Sequence, residues 1–130
     1  MILWEFFIEQ YDWSVTAAYD LTCDDVPELL DLLTTHGCPT NTIKRIISNI
    51  NDCLPDKGIC FSNFISKKSL LVVGRASSRK ELVNTLMHET FHLVMHIAER
   101  FKLDCFGEEL AYLAGDLAAK QFEHVLSLLF

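Results

Sequence analysis

The stretch SLLVVGRASSRKELVNTLMHETFHLVMH, residues 69–96, changes its period halfway along. Ser69 to Gly74 is a short run of branched apolar residues, the composition of a strand. Ser78 then stands three residues before Glu81, the spacing at which a serine and a glutamate cap the first amides of a helix. From there Leu86, Met87, Phe91, Val94, Met95 and Ala98 recur at helical spacing, which predicts a helix running to about Phe101. A strand feeding directly into an amphipathic helix frames the rest of the chain.

Working outward, GICFSNFI at residues 58–65 is a second apolar segment, separated from SLLVVG by the polar SKK, so the two predict an antiparallel hairpin. In WSVTAAYDL, residues 13–21, Trp13, Val15, Ala17, Tyr19 and Leu21 alternate with Ser14, Thr16 and Asp20, the pattern of a half-buried strand. The preceding LWEFFIEQ is compatible with a strand or a short helix. Asp25, Pro27 and Glu28 signal the start of a helix that Gly37 ends; a second, opened by Thr40, carries Ile43, Ile46, Ile47, Ile50 and Leu54 until PDKG stops it. A last helix spans about Gly107 to Leu129. The expectation is an α+β fold, a small antiparallel or mixed sheet packed against helices, in one domain over residues 1–130, with residues 1–57 contributing a strand and two helices.

Composition narrows the function. The chain has 130 residues, is 50% hydrophobic and carries a formal charge of −7, so it lacks the clustered cations that phosphate backbones require. A nucleic-acid partner is therefore not expected. No apolar run reaches membrane-spanning length, and MILWEFFIEQ lacks a basic leader and a small-residue cleavage site. Cys23, Cys38, Cys53, Cys60 and Cys105 are scattered, odd in number and free of any C-x-x-C pair, which predicts reduced thiols and a cytoplasmic location.

The chemistry concentrates in His88-Glu89-Thr90-Phe91-His92. Two histidines four apart on a helix lie about 40° from one another and one turn along, so both imidazoles reach a single cation. Glu89, about 100° round from His88, reaches a water on that cation without being a ligand. Zn2+ held this way lowers the pKa of its water toward about 7, and the glutamate serves as general base. A closed structural site has no use for Glu89.

HETFH on a helix behind a strand resembles the zincin metallopeptidases, whose active-site helix lies beside an edge strand that aligns the peptide substrate. The resemblance spans about residues 58–120 and implies a third ligand. The metzincin pattern asks for His and Gly where Ala98 and Met95 stand, and so does not apply. A gluzincin takes a glutamate from the following helix, and GEELAYLAG at residues 107–115 is similar to the helix that follows the motif in small phage- and mobile-element-associated zincins. Glu108 is preferred over Glu109 because it neighbours Ala111 and Gly115, small residues that admit another helix. The sixteen residues from His92 to Glu108 suffice for an antiparallel return.

Around this constellation Tyr112 is a candidate oxyanion donor, Asp116 a candidate partner for a histidine's outer nitrogen, and His96 a hydrogen-bonded neighbour rather than a ligand. His36 and His124 read as surface or helix-end residues. The expected activity is zinc-dependent hydrolysis of a peptide or protein substrate, with the strand at Leu70–Val73 receiving an extended peptide by edge pairing and a protein partner available to complete the cleft. The alternative is a non-catalytic metal-binding or regulatory protein on the same scaffold.

Overall fold

The structure is a computed structural model in which residues 1–129 are described. Its fold is α+β. Strands β1 (Ile2–Ile8), β2 (Trp13–Leu21), β3 (Gly58–Asn63) and β4 (Lys68–Gly74) form one sheet in the order β1-β2-β4-β3. Helices α1 (Val26–Thr35) and α2 (Thr40–Ile50) connect β2 to β3; α3 (Arg79–Phe101) and α4 (Glu108–Leu129) follow β4. The ambiguous amino-terminal segment is a strand, so residues 1–57 hold two strands and not one. The β1–β2 and β3–β4 pairs are antiparallel, whereas β2 and β4 run parallel. That parallel pair makes β4 a central strand. Its backbone groups are taken on both sides, so the expected edge pairing at Leu70–Val73 is corrected: the edge beside α3 is β3.

Alternation along the strands divides the apolar residues between two cores. Trp13, Val15, Ala17, Tyr19, Leu71 and Val73 face α3 and α4, while Ala18, Leu70 and Val72 meet Leu29, Leu33 and Ile50 beneath α1 and α2. Leu21 was expected on the Trp13 side and lies on the other. Asp20 is the reason: its φ of 60° sits at a register shift between Tyr19 and Leu21, and an inserted residue reverses which face follows.

Helix α4 lies over β1 and β2. His124 stacks on Trp4 at 3.6 Å, Lys120 sits over Phe6, and Tyr19 Oη donates to Gln121 Oε1 at 2.9 Å. Helix α3 lies over β4 and β3, and Gln121 Nε2 donates to Thr90 Oγ1 at 2.8 Å, tying the two antiparallel helices at that level. Ser78 caps α3 as the sequence predicts, accepting from the Glu81 amide. Neither Asp25 nor Thr40 caps its helix; Thr22 and Asp25 instead form a reciprocal box around the turn Cys23–Asp25.

Cys23 and Cys53 are joined in a disulfide, with Cα atoms 5.1 Å apart. The expectation that all five thiols are reduced is thereby corrected, and the cytoplasmic location loses that support. Thirty residues of sequence hid the proximity, which arises because α1 and α2 form a hairpin whose entry and exit meet. No helix among the described residues is long and apolar enough to cross a membrane.

Candidate metal and peptide site

On α3, Leu86, Leu93 and Ile97 are turned into the core, which leaves His88 and His92 on the outer surface. Their Nε2 atoms face each other at 3.2 Å. Two nitrogens on one tetrahedral cation, each about 2.05 Å from it, are separated by about 3.3 Å, so the pair has the bite of a two-point ligand. Glu89 points toward the start of β3 and is 6% exposed. Among the described residues it makes no hydrogen bond to protein, and His88 Nε2 lies 3.9 Å from its Oε1. Burial pushes its carboxyl above the usual carboxylate range, with the field of His88 opposing the rise.

Gly58 makes this placement possible. A Cβ there would stand 2.7 Å from Thr85 Cγ2 and 2.9 Å from Glu89 Cγ, so only glycine lets β3 lie against the helix at this level. Gly58→Ala is expected to cost about 1–3 kcal/mol in urea unfolding, because α3 has to shift to admit the methyl group.

The sheet edge next to Glu89 is unpaired. The Gly74 amide donates to Lys57 O at 2.7 Å, and antiparallel alternation from that pair turns the backbone N–H and C=O groups of Gly58, Cys60 and Ser62 away from β4. Side chains on the same strand reach α3: Ser62 Oγ lies 2.7 Å from His96 Nδ1. Behind it runs a buried chain in which Trp13 Nε1 donates to Ser69 Oγ at 2.8 Å and Ser69 Oγ meets Ser62 Oγ at 2.6 Å. His96 thus has a hydrogen-bonded place under the strand, and burial lowers its pKa.

The candidates on α4 lie elsewhere. With Gln121 level with Thr90, Glu108 is thirteen residues back along α4, about 20 Å from the level of the histidines. Helix α4 also covers the opposite pair of strands from β3. Glu109 accepts from Tyr11 Oη at 2.6 Å, and burial together with that carboxylate pushes the tyrosine up to about 12. Ala111 and Gly115 face solvent, a Cβ at Gly115 having nothing within 4 Å, so the small-residue stripe admits no helix. Tyr112 is 70% exposed and Asp116 is exposed; neither belongs with the pair. His36 is buried, its Nδ1 held by Leu32 O, and His124 is the ring stacked on Trp4.

As a test of fit, His88 and His92 suit one cation as two ligands, while no third His, Cys, Asp or Glu joins them in a metal-binding group among the described residues. The structure does bring in residues that the sequence did not single out. Asp56 and Lys57, from the loop after α2, join Gly58, Glu81, His88 and Glu89 around a cleft of about 300 Å³. Glycine at a strand start was the one sequence signal of that approach. A larger hollow of about 470 Å³ lies against Ser14, Thr16, Thr35 and His36, away from the α3 histidines. No family model, curated protein or solved structure matches the chain.

Proposed function

We propose that this chain is a zinc-dependent peptidase of the zincin kind that acts on extended polypeptide. One observation carries the reading: a buried carboxyl without a hydrogen-bond partner among the described residues, Glu89, lies between a facing His88–His92 pair and the outer strand β3. His88 and His92 are the proposed ligands, and zinc, when bound, supplies Lewis acidity at the scissile carbonyl. Glu89 accepts the proton of the attacking water and delivers it to the leaving amine. Gly58, Cys60 and Ser62 hold the peptide by strand addition, fixing the carbonyl against the helix. The remaining coordination is open to solvent, substrate or a partner's side chain.

Elemental analysis of the purified protein beside His92→Ala tests the metal half. About one zinc per chain in the parent and almost none in the variant is the expected result; equal zinc in both removes the histidine pair from its role.

The second reading, a metal-dependent docking module without hydrolysis, draws on the outer face of the α3–α4 pair. Val83, Met87 and Phe91 recur every fourth residue on α3 and are 46%, 43% and 61% exposed; Phe122 and Leu126 on α4 are exposed as well. Cleavage of a denatured protein, abolished by chelation, decides between the readings.

A further inference from the structure

The cleft beside His88 and Glu89 has an electrostatic character that hydrolysis alone does not require. Three carboxylates line it: Asp56, Glu81 and Glu89. Asp56 is held in position from behind, with Oδ1 accepting from the Ser77 amide at 2.8 Å and Oδ2 from Ser77 Oγ at 2.7 Å. Glu81 projects from the first turn of α3. The one lysine or arginine among the lining residues, Lys57, has its Nζ engaged by Asp52 at 2.9 Å and Asn49 at 3.1 Å and is turned from the three acids, of which Glu89 alone has an imidazole, His88, within 3.9 Å.

An acidic cluster on a surface is ordinarily just a solvated face. Glu89 sets this one apart, because it is 6% exposed, lines the cleft, and makes no hydrogen bond among the described residues. A carboxylate largely withdrawn from water is costly to keep charged, and a cation entering the cleft lowers that cost.

We propose that this cleft receives the cationic side chain, lysine or arginine, of a polypeptide laid along β3. Gly58, where the free edge begins, lines the cleft, so a strand paired with Gly58, Cys60 and Ser62 passes beside it. The cleft holds about 300 Å³, room for a long side chain whose stem lies along Gly58 and Thr85 while its head meets Asp56 and Glu81. The substrate class is then a polypeptide with a basic residue next to the bond that is cut. This assignment deepens the peptidase reading and rests on it for the cutting, though not for what the cleft holds.

The test is a titration of the chelator-treated, isotope-labelled protein with N-acetyl-lysine methylamide, its norleucine counterpart and its glutamate counterpart, followed by amide chemical shifts. The lysine compound is expected to move the Gly58, Asn84 and Thr85 amides and to bind about fivefold or more tighter than norleucine. Glu81→Gln, whose folding the same spectra report, is expected to erase most of that difference. Equal binding of lysine and norleucine, or a preference for lysine that survives Glu81→Gln, overturns the proposal. Repeating the titration on His92→Ala separates the two readings. Lysine binding retained there supports the cleft whatever the outcome for zinc or hydrolysis, and lysine binding that depends on His92 overturns it.

Discussion

Glu89→Gln is expected to lower peptide hydrolysis by about 10²- to 10⁴-fold, the range a general base contributes, while zinc content stays at the parental value. The same substitution is expected to make the metal-free protein more stable. Glu89 is buried, and its carboxyl is held above the usual carboxylate range by that burial. A raised value means that the folded state prefers the protonated acid, so stability is lost as pH rises through that value. Glutamine keeps the shape and carries no charge. Its advantage in Tm should therefore be near zero in acid, where both side chains are neutral, and grow toward neutral pH. Melting curves across that window, with chelator present, check the sign; a variant less stable than the parent at neutral pH contradicts the burial argument.

The second large effect concerns the disulfide. Replacing Cys23 and Cys53 together by serine is expected to cost about 3–4 kcal/mol, the chain-entropy value for a loop of this length. Reductant should bring the parent to the variant's stability and leave the variant unmoved. A thiol count on denatured, unreduced protein gives three free cysteines if the bond is formed, matching Cys38, Cys60 and Cys105. Five would place the protein in the reduced state that the sequence suggested. The bond also governs the site, since Cys53 anchors the loop that carries Asp56 and Lys57 to the cleft.

Local pattern made most of the fold legible. Ser78 and Glu81 located the start of α3, period-two alternation located β2, and the polar SKK located the β3–β4 turn, because each signal lies within a few residues of what it determines. Strand order did not have such a signal. That β2 joins β4 in parallel and leaves β3 outside depends on α1 and α2 packing on one face of the sheet, a long-range outcome. The same limit explains the site. His88, Glu89 and His92 belong to one helix, and helical geometry places them without knowledge of the fold. The choice of Glu108 needed the depth at which α4 pairs with α3 and the strands it covers, and both are set by Tyr19, Thr90 and Gln121 meeting in the core. The meeting of Asp56 and Glu81 at one cleft was not legible, because their loop and helix turn come together only after β3 docks.

The buried relay beneath β3 sorts the histidines. An indole nitrogen can only give its hydrogen, so Ser69 Oγ receives from Trp13 and shares a further hydrogen bond with Ser62 Oγ. Ser62 Oγ in turn bonds Nδ1 of His96, and in either tautomer that inward nitrogen is engaged by the sheet. Three imidazoles evenly spaced down one helix therefore divide into a pincer of two and a third ring tethered through Ser62 and Ser69 to Trp13.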